Sequence, residues 1–271
     1  MLNIIKTEWL KIRKYNAFWW LTIVTALAYP GVNYIFYNIY QNLVGRADTA
    51  GKLAKMYIGN PFTFPEVWHT VAFASSLFVF IPAVLVIMFI TNEYTFKTHR
   101  QNVIDGWSRQ QFMTAKLTDV MITSLIITLM YMAVSIAIGF MNKGDGTASP
   151  FDQIQYAGLF ALQTFSQLSI AFLIGFLIRK AFISLGLFLF YFLVLENILE
   201  RLAHFKAKDI GRFLPLEMSD RIIPMPAFMG KLDQDAYTNA VNNINTHVIY
   251  TIILTTVIWL ICFRINKTRD L

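Results

Sequence analysis

Apolar positions in this chain come in long unbroken runs, and short polar stretches separate them. The runs cover residues 17–40, 71–91, 117–141, 154–178, 181–199 and 246–263. A helix needs about 20 apolar residues to cross a hydrocarbon core roughly 30 Å thick. Barrel strands would instead alternate over segments of about 10 residues, and these runs are continuous. The pattern predicts an all-α polytopic membrane protein: six transmembrane helices forming one domain over residues 1–271. Five spans is the alternative, if the short run 181–199 only dips into the membrane. Pro30-Gly31 predicts a bend midway along the first span, and Pro82 sits centrally in the second.

The polar stretches carry structure of their own. In residues 1–16, Leu2, Ile5, Trp9 and Ile12 share one helical face, while Lys6, Glu8, Lys11, Arg13 and Lys14 lie away from it. That spacing predicts an amphipathic helix lying on the bilayer surface before the first span. Ala26-Leu27-Ala28 imitates a signal-peptidase site, but the apolar run continues through Val32, Ile35, Phe36 and Ile39, so an uncleaved span is expected. Residues 92–116 read NEYTFKTHRQNVIDGWSRQQFMTAK. Glu93–Ile104 suits a helix, Asp105-Gly106 stops it, and Ser108 with Gln111 three residues on forms a capping-box pattern that starts another. This predicts a helical hairpin between the second and third spans. Residues 142–152 predict a tight loop and Arg179-Lys180 a very short turn. Residues 200–245 mix charge with broken apolar patches such as Ile222-Ile223-Pro224-Met225-Pro226. They predict an outer segment, either an ordinary folded loop or one that re-enters the membrane.

Composition adds little to the class and much to the orientation. The chain is 56% apolar and only 14% charged, against about 25% charged in soluble domains. A net charge of +7 would suggest nucleic acid in a soluble chain. Here the basic residues flank spans, so no nucleic-acid partner is expected. With six spans both termini share a side. The segments on that side, 1–16, 92–116, 179–180 and 264–271, hold four, four, two and three of the 23 Lys and Arg residues. The positive-inside rule therefore predicts cytoplasmic termini and a cytoplasmic hairpin, in a plasma membrane of bacterial inner-membrane type. The single Cys262 excludes an internal disulfide framework and a multi-cysteine metal site.

Catalytic chemistry is missing from the pattern. His69, His99, His204 and His247 are scattered without metal-ligand spacing, and no phosphate-cradling GxxxxGK[ST] occurs. No catalytic residue, metal site or cofactor is expected in the chain itself. Polar residues within the spans are few: Asn33 in the first, Gln163 and Gln167 with Ser166 in the fourth, Glu196 with Asn197 and Glu200 near the fifth. Such groups face other helices or a water-filled path. Asn33, Gln163, Gln167 and Glu196 are therefore candidates for a translocation path, with interhelical hydrogen bonding as the alternative.

The hairpin carries a resemblance. Glu93 just after the second span, then Thr98, Ser108, Arg109 and Lys116 leading into the third, stand at spacings similar to those of the permease subunits of ABC-2-type transporters. Lys97 stands where that family tends to have glycine, and Asp105-Gly106-Trp107 replaces its proline turn. The layout of leader, six spans and broken segment before the last span also fits. The resemblance implies a non-catalytic subunit of an ATP-driven exporter. A separate cytoplasmic ATPase would bind ATP and Mg, a second permease chain, identical or different, would complete the unit, and membrane lipid would surround it. The hairpin would be the coupling element, with Glu93, Phe96, Thr98, Arg100, Trp107, Ser108, Arg109 and Lys116 at the ATPase. Arg100, Arg109 and Lys116 suit charge steering, and Phe96 and Trp107 suit aromatic anchoring. Membrane-interface anchoring of the aromatics and simple positive-inside bias are the alternatives. A reading from another class is a membrane scaffold or sensor whose hairpin recruits a partner without transport. An ion-coupled transporter would call for an internal repeat and mid-membrane charges, and the sequence has neither.

Overall fold

The structure is a computed structural model describing residues 8–11, 13–45, 59–104, 106–142, 149–207, 210–230 and 233–268. Leu2, Ile5 and Ile12 of the expected interfacial face, Asp105 of the hairpin, part of the 41–70 connection and much of the 142–152 loop lie outside those residues. The described residues contain helices and no strand.

Among the described residues, after the helical residues 8–11 of an N-terminal helix, twelve α-helices follow in order. α1 is Asn16–Val44, α2 Val67–Ser76, α3 Phe80–Thr95, α4 Thr98–Ile104, α5 Arg109–Met141, α6 Gln155–Ile178 and α7 Ala181–Phe190. A π turn, Tyr191–Leu195, leads into α8, Glu196–Ala207. A 3₁₀ turn, Ile210–Phe213, precedes α9 (Pro215–Asp220), α10 (Ala227–Gly230), α11 (Gln234–Asn242) and α12 (Ile244–Thr268).

Among the described residues, four helical stretches, Arg109–Met141, Gln155–Ile178, Ala181–Ala203 and Ile244–Thr268, are long and apolar enough to cross a membrane. The pair α2 and α3 qualifies jointly, bent by 50°. α1 runs unbroken through Pro30 for 29 residues, but its asparagines, tyrosines and tryptophans lower its hydropathy. The expected fifth run is not confined to 181–199, because the helix continues into α8.

The second run is broken rather than evenly bent. Its break falls at residues 77–79, before Pro82. Pro82 then lies in the first turn of α3, where a backbone N–H has no intrahelical acceptor and its loss costs nothing.

α6 is the centre of the bundle, packing against α2, α3, α5, α7, α9 and α12. In its most apolar window 61% of residues are buried, against 17% for the helix through α7 and α8. Its apolar face joins Phe172 and Phe176 to Ile87, Ile90 and Trp259. Small residues allow that closeness: a Cβ on Gly175 would sit 2.6 Å from Ile90 Cγ2. Close backbone approach at small residues drives helix association where no water is being released. The segment after α8 folds back on the bundle, with Leu216, Ile222, Ile223 and Phe228 buried.

Gly175→Ala should therefore lower stability in detergent by about 1–3 kcal/mol through overpacking, read as a lowered Tm. Gly158→Ala, where nothing lies within 4 Å, should cause no loss; equal behaviour of the two variants would contradict this packing.

Candidate functional site

The hairpin begins where α3 ends. Phe96 and Lys97 form the turn, and Lys97 adopts φ 55°, in the left-handed region that glycine occupies without strain. The backbone thus takes a glycine-like shape at the position where the resemblance expects glycine. Gly106, at φ 94°, makes the second turn. Ser108 then caps α5 reciprocally: Gln111 N–H donates to Ser108 Oγ (3.1 Å), and Ser108 N–H donates to Gln111 Oε1 (2.8 Å). The capping box is realised as the sequence spells it.

Inside the hairpin lies a network of charge. Lys116 is only 3% exposed. Its Nζ donates to Glu8 Oε2, to Glu93 Oε1 at 2.9 Å and to Asp119 Oδ2 at 3.3 Å. An ammonium has three N–H donors, and here each meets a carboxylate. Lys11 donates to Glu8 Oε1 (2.9 Å), Glu93 Oε1 (3.4 Å) and Asn102 Oδ1 (3.4 Å), with its Nζ 5.7 Å from the centre of the Trp107 ring. Glu93 also takes Thr98 Oγ1 at 2.6 Å, and its carbonyl accepts from His99 Nδ1 at 2.9 Å. Four segments meet here: the helical residues 8–11, the end of α3, α4 and the start of α5. Burial pushes the Glu8 carboxyl up, but the Lys116 and Lys11 ammonium groups outweigh it and hold Glu8 below its ordinary value of 4.5.

The predicted site residues therefore divide in two. Glu93, Thr98, Trp107 and Lys116 turn inward and hold the hairpin to the spans. Ser108 caps α5. Arg109 reaches the end of α12, donating to the Lys267 carbonyl at 3.0 Å, while Asn266 Nδ2 donates back to the Arg109 carbonyl at 2.7 Å. Phe96 (70% exposed) and Arg100 face outward, joined by Ile104 at 83%.

Sequence reasoning set Glu8 and Lys11 on the solvent face of the leader; Glu8 is buried instead, because Lys116 needs its carboxylate. Asp119, Asn102 and Ile104 were also missed. Asp119 had a signal, an acid one turn beyond a lysine just inside an apolar run.

Asn33 stands apart from the other three span residues. Asn33 Nδ2 donates to the Tyr29 carbonyl (2.8 Å) and to Ser75 Oγ (3.2 Å), tying α1 to α2. Gln163 and Gln167 both donate to Asp220 Oδ1, at 2.7 and 2.6 Å, docking α9 on α6. Glu196 Oε1 accepts from the N–H groups of Leu216 and Glu217 at 2.7 and 2.8 Å, at the start of α9. Asp220 is a partner that sequence reasoning did not single out.

The family model described as "ABC-2 family transporter protein" matches residues 4–195. The chain belongs to the ABC-2 transporter family. No curated protein matches it. As a member it is a multi-pass membrane component of permease type, not itself catalytic, in a family that works with a cytoplasmic ABC ATPase. The match spans the buried network and the hairpin and ends at the last residue of the π turn.

Two outcomes follow from the network. Lys116→Met leaves three carboxylates facing one another and should cost about 3–5 kcal/mol, measured by denaturant unfolding in detergent. Glu93→Gln should cost less, and adding Asp119→Leu to Lys116→Met should recover part of the loss. The second concerns pH. Glu8 is lowered in the folded protein, so its contribution is complete above about pH 4.5 and is lost as pH falls below that. The Tm advantage of wild type over Glu8→Gln should hold at pH 7 and shrink on acidification; a constant difference would contradict the pairing.

Proposed function

We propose that this chain is the six-span permease subunit of an ATP-driven exporter in a bacterial inner membrane, with cytoplasmic termini and the 92–116 hairpin as its coupling element. A separate ATPase binds ATP and Mg, and a second permease chain, the same or different, completes the path. One observation carries the reading. The buried charges of the hairpin are committed to the Lys116 network, whereas Phe96, Arg100 and Ile104 are exposed. Exposed aromatic and aliphatic side chains beside an arginine suit the anchor of an interface, with the charge at its rim.

The mechanism follows from rigidity. Closure of the ATPases moves α4. Glu93 passes that movement to α3, Lys116 passes it to α5, and Glu8 carries the N-terminal helix along. Arg109 links the same movement to the end of α12. The spans on either side of the hairpin tilt together, because the buried ion pairs do not let them slide independently.

The test is capture of the tagged chain from native membranes in mild detergent, with ATP turnover as the readout. Wild type should carry an ATP-hydrolysing partner. A Phe96→Ala/Ile104→Asp double variant, with unchanged Tm, should lose at least nine-tenths of it. Full retention by the double variant, or no turnover with wild type under several extraction conditions, overturns the reading and favours the scaffold.

A further inference from the structure

At the end of the bundle opposite the hairpin, two adjoining cavities of about 330 and 690 Å³ open between α2, α8, α9 and the start of α12. Phe73, Asn197, Glu217, Asp220 and Ile223 line both. Sites for small organic molecules have volumes of about 300–1,000 Å³, with apolar walls and a few convergent polar groups. These cavities fit that description. Phe73, Leu77, Phe192 and Leu193 supply wall, and the π turn carries the last two. Asn197 Nδ2 donates to the Phe192 and Leu193 carbonyls, at 3.3 and 3.2 Å, meeting acceptors at the π turn. π turns interrupt helices at functional sites more than elsewhere.

The charge of the smaller cavity is one-sided. Glu196, Glu200, Glu217 and Asp220 line it, and among the described residues no lysine or arginine does. In the larger cavity Glu217 and Asp220 stand beside Arg212 and Arg221. Arg221 is committed to two of the acids, with Nε 2.7 Å from Glu217 Oε1 and Nη2 4.0 Å from Glu200 Oε1. Glu196 and Asp220 are met differently. Backbone N–H groups bind the first and glutamine amides the second, and these are neutral donors that hold a carboxylate without cancelling its charge. Two amides converging on the single oxygen Oδ1 mark Asp220 as an acceptor, and the residue is open towards the cavity. Each of those amides also keeps a buried oxygen, Gln163 Oε1 and Gln167 Oε1, that no protein donor reaches. In the smaller cavity the surplus among the described residues is therefore acidic, set against aromatic and aliphatic wall.

We propose that this paired cavity binds an organic cation, an amine or guanidinium carried on an apolar body, with Asp220 and Glu196 as the counter-charges. In the smaller cavity an anion would meet four acidic side chains, and a neutral molecule would leave them unmatched. The chain beyond residue 195, which supplies all four of these acids, lies outside the family match. That the cation is cargo rests on the permease reading; that the cavity binds it does not.

The experiment uses the full chain in lipid nanodiscs, with empty nanodiscs as the blank. Tritiated 4-phenylbutylamine is the probe, and 4-phenylbutanol and 4-phenylbutyrate, of the same skeleton, are the competitors. The amine should bind saturably and at least tenfold tighter than the alcohol, and the carboxylate should not compete. Asp220→Asn should weaken the amine about tenfold and leave the alcohol unchanged. Equal competition by the alcohol, or uptake no greater than the blank, overturns the inference. The wild-type ratio decides this even if Asp220→Asn fails to fold. ATPase capture, read separately on wild type, reports on the permease reading: amine selectivity without an ATPase keeps the site and removes its role as a cargo site.

Discussion

The position of Lys116 constrains everything around the hairpin. An ammonium taken out of water loses several kcal/mol of solvation, and only close, well-aligned carboxylates offset that loss. Glu8, Glu93 and Asp119 come from the N-terminal helix, the end of α3 and α5, so satisfying one amine fixes three elements together. Lys11 repeats the arrangement from the N-terminal side and adds Asn102 of α4. The hairpin is thus tied to its two spans by buried ion pairs.

The two ends of the bundle handle acidic side chains by different means. Near the hairpin, carboxylates meet ammonium groups, and the charge is largely cancelled within the protein. At the other end, Glu196 and Asp220 accept from neutral N–H donors rather than from ammonium groups. The same neutral bonding holds the folded-back segment: a His69 ring nitrogen lies 2.7 Å from the Pro224 carbonyl, and Thr251 Oγ1 donates to the Met218 carbonyl at 3.1 Å. α9 is therefore tied to α6 and α12 by polar bonds as well as by Leu216. In a low-dielectric bundle, unmade bonds of this kind are costly, which keeps the segment in place.

Particular positions show what could be read in advance. Ser108 and Gln111 form the box their spacing predicts, because both bonds lie within four residues. Gly106 turns where a stop was expected. Pro82 is central in the second apolar run, yet near the start of α3 it interrupts nothing, and residues 77–79 carry a bend that the run does not announce. The burial of Glu8 was not legible at all, since a glutamate on the polar face of a short amphipathic helix reads as solvated. Of the eight hairpin residues expected at a partner, Phe96 and Arg100 face outward, while Glu93, Thr98, Trp107 and Lys116 turn to the spans.

The sequence by itself determined the membrane class, the run lengths, the hairpin between two runs and its turn chemistry. Each of these depends on local quantities: apolar length against bilayer thickness, periodicity, and capping within a single turn. Tertiary structure alone decided which charges are paired and which remain open. Lys116 and Glu8 are 108 residues apart in the chain, Lys11 and Glu93 82, and Gln167 and Asp220 53. Coulomb attraction and hydrogen bonding act through space, and no spacing along the chain records a partner brought near only when helices pack.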